Sequence, residues 1–292
     1  MSVVINTNVD SLKIQGILTG STNKLSESMQ RMSSGLQINS AKDDAAGTVI
    51  SARMDVQLNG NQICQKNVQN ANAMLSTAEG NIDVVLDNVS RIRDLTLQAK
   101  NGNYSDKEIE AMQAEVKERI AEIDRVSSSS KFSQLQLFGD SNLSTNGATF
   151  QVGQNADSDG KTDNVIKADK DIFKAVTFSA LTNQTGAFNL ANIKAGSGSY
   201  ANFDTALTKL DTAIDNLTSR KSLIGSAQNR LESAYDTLTT QYANLSSAKS
   251  IITDADIASE ASKFTQNQIL QQVSTSLLAQ ANQAPSIALS LL

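Results

Sequence analysis

Few residues of this chain could carry out covalent or metal chemistry. The sequence contains no histidine and a single cysteine, Cys64, so neither a nucleophile–base pair nor an ordinary zinc site can be assembled. Residues 157–160 (Asp-Ser-Asp-Gly) are similar to part of a calcium loop, but the glycine comes two positions early and the twelfth position, Ala168, has no carboxylate. The remaining acidic residues are scattered over helical patterns. We therefore expect no enzyme activity, no metal site and no cofactor.

The elements that hold these residues are predicted to be long helices. Cys64 begins an apolar run at alternating steps of four and three residues, which is the spacing of a coiled-coil seam. The run comprises Cys64, Val68, Ala71, Leu75, Ala78, Ile82, Val85, Val89 and Ile92. Because a single cysteine cannot form an internal disulfide, we interpret Cys64 as a small buried hydrophobic residue.

Capping signals delimit this helix and the next one. Residues 40–43 (Ser-Ala-Lys-Asp) have the pattern of a capping box and Asp44 favours a helix N-terminus, so we predict a helix from near Asp44 to Lys100. Residues 101–103 (Asn-Gly-Asn) end it, and residues 105–108 form a second capping box. The helix that follows is predicted to pack antiparallel on the first.

A second regular seam lies in the C-terminal part of the chain. Lys221, Gln228 and Lys249 fall on its grid, where polar residues can fix the register of helix pairing. Its apolar members are Leu207, Leu210, Ile214, Leu217, Ile224, Leu231, Tyr235, Leu238, Tyr242, Leu245 and Ile252. Between the two seams, short alternating runs such as 148–152 predict a small β region at about 131–200. The predicted fold class is mainly α, with long antiparallel coiled-coil helices, a small β region at the tip and paired terminal helices.

Both ends of the chain are predicted to be amphipathic helices with few charges. The N-terminal helix ends at Gly35 as a cap, and the C-terminal helix begins after residues 253–256. Residues 1–23 contain two charged side chains, Asp10 and Lys13, and residues 264–292 contain none. In a polymer every charge recurs in each copy, so uncharged ends suit an interface between copies.

Composition excludes several classes of function. A net charge of -5, a pI near 4.9 and the lack of a basic cluster argue against nucleic-acid binding. The C-terminal segment is too polar to span a membrane and lacks the Lys, Arg and Trp of an interfacial helix, so we expect no membrane insertion. The first residues have neither the basic region nor the apolar core of a cleavable secretory signal, so export would need another route.

Several segments resemble one known family. RMSSGLQINSAKDDAAG (residues 31–47) closely resembles the signature segment of bacterial flagellins. The similarity continues through EIDRV (122–126), FQVG (150–153) and the ending of the chain, from QILQQ (268–272) to LSLL (289–292). The resemblance extends over roughly the first 155 and the last 90 residues. The middle is too short for the large outer domains of longer flagellins.

The resemblance implies a structural subunit that self-assembles into the helical filament of the bacterial flagellum and serves motility. It implies that residues 1–43 and 255–292 form inner-core helices lining the filament channel, and that residues 44–254 form a helical rod domain. The implied partners are further copies of the chain, a flagellar export chaperone, and hook-associated and cap proteins. The implied location is the secreted, extracellular filament.

Two sets of site residues follow from the resemblance. The assembly interface is expected to contain Ile5, Val9, Leu12, Leu18, Leu25, Met29, Met32, Leu36, Ile257, Phe264, Leu270, Val273, Leu277, Leu291 and Leu292. The motif recognised by the host Toll-like receptor for flagellin matches Arg91, Leu95 and Glu115. The seam places Arg91 and Leu95 off the core stripe, and an apolar residue beside charges indicates an interface. The alternative is that Arg91 and Glu115 belong to a solvated helix face.

Two other interpretations fit the sequence less well. A hook–filament junction protein of the same secretion-assembled family is disfavoured by the match at the C-terminal tail, including Leu291 and Leu292. A secreted pore-forming or adhesive coiled coil would need an apolar hairpin or a binding domain, and the sequence shows neither.

Overall fold

Long helices make up most of the fold. The computed structural model describes residues 8–101, 103–155, 163–183, 188–190 and 199–290, without the side chains of 199–201 and 284–290. The long helices are α1 (Val9–Ser34), α2 (Ala45–Lys100), α3 (Asp106–Ser129), α6 (Ser199–Thr253) and α7 (Ile257–Ser290). The predicted fold class, mainly α with a small β region, is confirmed.

The chain divides into two compact units. One unit consists of Met1–Leu58 and Tyr242–Leu292, and we call it the terminal unit. The other is Asn59–Gln241, which we call the central unit. Helices α2 and α6 contribute to both.

In the central unit, the two predicted seams form the core. Val68, Leu75, Ile82 and Val89 of α2 and Leu210, Leu217, Ile224 and Leu231 of α6 are at most 1% exposed. Cys64 lies in the same core, where burial raises the pKa of its thiol, so it is a buried hydrophobic residue as predicted. Burying an aliphatic side chain of this size contributes about 1.5–3 kcal/mol, so this seam is the main source of cohesion between α2 and α6.

Polar pairs fix the register of α2 against α6. Arg93 pairs with Asp211 and Lys100 with Asp204, so seven residues forward on α2 correspond to seven residues backward on α6. The helices are therefore antiparallel, as predicted. The same register continues through Asp83 with Lys221, Ser76 with Gln228, and Gln69 with Tyr235. Lys221 and Gln228 thus act as the register-setting polar residues that the sequence indicated.

Helix α3 packs antiparallel on α2, as predicted. Arg91 Nε donates to Glu115 Oε1 at 2.7 Å, and Arg119 donates to Asn88 Oδ1 at 3.2 Å, so the contacts run in opposite directions along the two helices. The second capping signal is confirmed, because the Ser105 N–H donates to the Glu108 carboxylate at 2.6 Å. Substituting such a cap typically costs about 0.5–2 kcal/mol.

The segment between α3 and α6 is only partly β. Strand β1 (Lys131–Phe132) pairs with β2 (Leu135–Gln136), and β3 (Ala148–Gln151) pairs with β4 (Val165–Ala168), both antiparallel. Between and after these strands lie short helical elements: α4 (Leu143–Asn146), a 3-10 helix (Lys170–Phe173) and α5 (Phe178–Thr182). They bury Phe138 and Phe173 completely. The acidic turn at 157–160 lies outside the described residues.

In the terminal unit, the start of α2 differs from the prediction. Asp44 caps the helix, because its Oδ1 accepts from the N–H groups of Ala46 and Gly47, each at 3.0 Å. Asp43 instead accepts from the N–H groups of Ser40 and Asn39 and closes the turn before the helix. These hydrogen bonds lower the pKa of Asp43. The predicted capping box at residues 40–43 therefore stabilises the loop before α2, and Asp44 caps the helix itself.

Candidate assembly interface

The terminal helices α1 and α7 form an antiparallel pair. Asn8 Nδ2 donates to the Ala281 carbonyl at 2.8 Å, and Ser28 Oγ donates to Glu260 Oε1 at 2.7 Å. Moving forward along α1 therefore means moving backward along α7. This pairing confirms the paired terminal helices that the sequence predicted.

The loops at one end of this pair are hydrogen-bonded to each other. Gly35 ends α1 with φ 72°, a left-handed conformation that glycine adopts without steric cost, and its N–H donates to Arg31. The Ala255 N–H donates to the Gly35 carbonyl at 2.9 Å, and the Gln37 N–H to Thr253 at 2.7 Å. These bonds hold the end of α1 beside the start of α7.

The contact face of this helix pair contains small polar residues. Ser21, Ser28 and Ser274 are 4–6% exposed, and Glu260 is 5% exposed. Small side chains let two helix backbones come close, but they bury little apolar surface. The pair is therefore held with much less apolar burial than the central unit. The burial of these serines was not predicted, because a pattern built on apolar spacing does not mark them.

The apolar residues of the pair remain exposed instead. Eight predicted interface residues are 37–59% exposed: Val9, Leu12, Met29, Leu36, Ile257, Leu270, Val273 and Leu277. Four others are partly buried: Leu18, Leu25, Met32 and Phe264. Ile17 and Ile269 belong to the same surface and were not predicted. Ile5, Leu291 and Leu292 lie outside the described residues. We call the exposed apolar residues of α1 and α7 the terminal apolar surface.

The chemistry of this surface suits contact with other protein helices. Lys263 is the last charged residue of the chain, so nearly all of α7 can be covered without burying a charge. Ala261, Thr265, Ile269 and Leu270 line an open groove of about 650 Å³ on α7. Exposed apolar patches of this kind mark interaction sites. Each covered side chain gains stability in proportion to its apolar area, about 25 cal/mol per Å².

The residues of the receptor motif are split between surface and core. Arg91 and Glu115 form an ion pair at 2.7 Å with half-exposed side chains, and the hydrogen bond from Arg91 lowers the pKa of Glu115. Leu95 lies off the seam as predicted, but it is 3% exposed, so its interpretation as an interface residue on the surface was wrong. It lies one helical turn after Arg91, on the face of α2 that α3 approaches. Helix α2 therefore buries two faces, and the seam pattern shows one.

Among the described residues, no three His, Cys, Asp or Glu side chains come together as a metal-binding group. None of the helices in that part of the chain is long and apolar enough to cross a membrane.

The fold and the terminal apolar surface define a structural coiled-coil protein, and comparison with known proteins places it in a family. Residues 5–143 match the bacterial flagellin N-terminal helical region, and residues 207–292 match the C-terminal helical region. The flagellin of Bacillus subtilis (strain 168) is 34% identical, with 99% of each chain covered. The flagellar filament 30.7 kDa core protein of Treponema maltophilum is 33% identical, with 96% of each covered. The chain belongs to the bacterial flagellins, a family of structural proteins, and is a subunit of the extracellular flagellar filament.

A solved structure shares the fold. The structure of a putative flagellar hook-associated protein from Vibrio parahaemolyticus is 19% identical, with a TM-score of 0.56, and covers 72% of this chain and 99% of its own. At that identity the likeness concerns the fold alone. The relatives that match over nearly the full chain are flagellins and filament core proteins, so the junction-protein alternative is not favoured.

Proposed function

We propose that copies of this chain join in the filament through the terminal apolar surface. One observation supports this above all: the α1–α7 pair buries serines and leaves leucines, isoleucines and valines exposed. A helix pair that was stable by itself would have the opposite arrangement. Neighbouring copies supply the burial that the pair lacks.

The functional division of the chain follows from this role. Residues 1–43 and 255–292 form the inner-core helices that line the filament channel, and residues 44–254 form a helical rod domain. The scarcity of charge in the two end segments supports an inner position. Before assembly these helices gain order only in part, because an isolated amphipathic helix is marginal in water.

The terminal apolar surface also gives the proposed accessory proteins, an export chaperone and the hook-associated and cap proteins, a place to bind. An exposed apolar helix is an aggregation hazard before assembly, so an export chaperone covers α7 until secretion. Hook-associated and cap proteins then meet the same helices at the two ends of the filament. The chain performs no catalysis, and its chemistry is confined to helix packing.

The assembly proposal is tested by Leu270→Gln combined with Val273→Gln. These side chains are 42% and 47% exposed, so the folded monomer should keep its helix content and melting temperature. The critical concentration for polymerisation should rise at least about tenfold, which corresponds to a loss of about 1.4 kcal/mol for each subunit added. Sedimentation of polymer at increasing protein concentration measures it. Deleting residues 264–292 should abolish polymerisation and leave a soluble monomer.

The control is Val84→Gln, which changes an apolar residue of the central unit that is also 42% exposed. It should change the critical concentration much less. Normal filaments from the truncated chain, or equal effects of the control and the double variant, would contradict an interface centred on the terminal helices.

We also propose that the host Toll-like receptor for flagellin recognises the monomer at the Arg91–Glu115 pair. The pair is a half-exposed, bidentate contact between α2 and α3, with distances of 2.7 and 3.2 Å. Such a fixed pair offers a partner both charges in one geometry. Leu95 is not part of this proposal, because its burial removes it from the surface.

Arg91→Ala combined with Glu115→Ala should lower receptor signalling by purified monomer at least about tenfold, since charged contacts at an interface contribute about 1.4 kcal/mol or more. The matched control is Arg125→Ala, which removes an exposed arginine paired with Glu122 on α3. Unchanged signalling by the double variant, with the control also unchanged, would refute this contact.

A further inference from the structure

Helix α2 has a second face besides its seam with α6, and this face loses its cover towards the start of the helix. In a coiled coil, residues seven positions apart lie on one face. Counted back from Leu95, which α3 covers, such steps reach Asn67, Gly60 and Arg53. Asn67 Nδ2 donates to the Gln151 carbonyl of β3 at 3.3 Å, and Gly60 lies against a side chain just after β3. At the next step, Arg53 is exposed.

The uncovered part of this face is apolar around one cation. Val49 and Val56 lie about one helical turn before and after Arg53, and they are 54% and 73% exposed. Ile50, beside them, is 45% exposed. Arg53 forms no ion pair with any described residue, whereas Asp55 pairs with a lysine of α6 at 2.5 Å. We call Val49, Ile50, Arg53 and Val56 the α2 start face.

The neighbouring segments of the same chain do not supply a cover for this face. The face lies at the Gly35 end of α1, because the last turns of α6 contact both Gln37 and Asp55. Helix α1 has 26 residues and is about 39 Å long, and residues 1–7 are joined to its other end. Seven extended residues span at most about 25 Å, so they do not reach the face. Residues 156–162 contain no large apolar side chain.

We propose that the α2 start face is a second contact between copies of this chain in the filament, and that a helix of a neighbouring copy brings a carboxylate to Arg53. Apolar residues at steps of four and three form a ridge that fits the groove of another helix. The chain is a filament subunit, so other copies surround it in its working state. Carboxylates are in excess on those copies, since the chain has 30 acidic and 25 basic residues.

This contact goes beyond the terminal apolar surface, because α1 and α7 contribute no residue to it. It does not depend on the role proposed for those two helices. Covering Val49 and Val56 stabilises the filament in proportion to the apolar area removed from water. The carboxylate gives Arg53 the partner that it lacks within one chain.

Photocrosslinking tests the contact directly. With p-benzoylphenylalanine in place of Val56, illumination of filaments should give a product of twice the subunit mass, in which mass spectrometry finds an α2 peptide joined to a helix peptide of another copy. Illumination of the monomer should give no such product. Attachment of position 56 to its own chain alone, or the absence of the double-mass product in filaments, would overturn the proposal.

Val49→Gln combined with Val56→Gln measures the energetic weight of the contact. The melting temperature of the monomer should change by less than about 2 °C, because both side chains are exposed. The critical concentration for polymerisation should rise at least about tenfold, and it should also rise for Arg53→Glu. The control is Val84→Gln, further along α2 and 42% exposed, which should change it much less.

An unchanged critical concentration, for the double variant or for Arg53→Glu, would overturn the proposal. A larger fall in the melting temperature of the monomer would show that the chain covers the face itself, which also overturns it. Failure of this contact is distinguishable from failure of the proposed function. If Leu270→Gln with Val273→Gln polymerises normally while position 56 still crosslinks two copies, the proposed role of α1 and α7 fails and this contact stands.

Discussion

Two leucines on α2 show how much the environment of a residue depends on its helix neighbours. Leu95 is 3% exposed, and Leu97, which is two positions further along and so on the other side of the helix, is 51% exposed. The heptad pattern of α2 describes its contact with α6, and Leu95 does not lie on that pattern. The approach of α3 buries it on a second face. A single helix pattern cannot show a second partner, so the burial of Leu95 could not be predicted from the seam.

Leu95→Ala should therefore destabilise the monomer by about 2–5 kcal/mol, because it opens a cavity in the core. Leu97→Ala, on the exposed side of the same helix, should change stability by no more than about 0.5 kcal/mol. Denaturant unfolding followed by circular dichroism measures both. Equal, small effects would mean that α3 does not cover Leu95.

The buried serines of the α1–α7 pair were missed for a different reason. Ser21, Ser28 and Ser274 are buried, although serine usually lies at the surface. Apolar spacing in α1 and α7 assigns Leu12, Leu270 and Val273 to an interface between copies, and the structure leaves all three exposed. It could not show that they point away from the partner helix within one chain, because assembly surfaces and cores carry the same residue types.

At the scale of elements, the boundaries and the register were largely predictable. Gly35, Ser105 and Asp256 act at helix ends as the sequence indicated, because capping depends on residues next to each other in the chain. The helical turns between α3 and α6 were not predicted, because burial of Phe138 and Phe173 determines them more than local pattern does.

Glu260 connects the two terminal helices and makes their pairing sensitive to pH. Burial raises its pKa, but hydrogen bonds from Ser28 at 2.7 Å and Lys263 at 3.1 Å, together with the charges of Lys263 and Arg31, outweigh burial. The net effect lowers the pKa of Glu260 below its ordinary value of 4.5. A lowered pKa in the folded state stabilises the pair above the unfolded pKa, and this stabilisation is lost as the pH falls through the folded value.

Glu260→Gln should accordingly be less stable than the wild type at pH 7, and the difference should shrink as the pH falls below about 4.5. Ser28→Ala should show a smaller difference at pH 7, because Lys263 still pairs with Glu260. Thermal unfolding between pH 7 and pH 3 gives these differences. A gap between Glu260→Gln and the wild type that does not change with pH would show that ionisation of Glu260 does not stabilise the pair.

At the scale of the whole molecule, the two compact units differ in where their apolar residues lie. The central unit buries its aliphatic seam, with Leu75, Ile82 and Leu217 fully covered. The terminal unit leaves Leu12, Ile17 and Ile269 more than half exposed. Stability of a domain comes chiefly from apolar burial. The central unit therefore buries its apolar residues within one chain, and on the proposed assembly the terminal unit completes its burial among several chains.

Hydrogen–deuterium exchange of the full chain, compared between monomer and filament, tests this difference most directly. Peptides covering residues 9–34 and 257–283 should exchange at least about a hundredfold more slowly in the filament, because local opening then exposes a covered apolar surface. Peptides covering residues 68–92 should be protected in both states. Equal exchange of the terminal helices in monomer and filament would contradict the account.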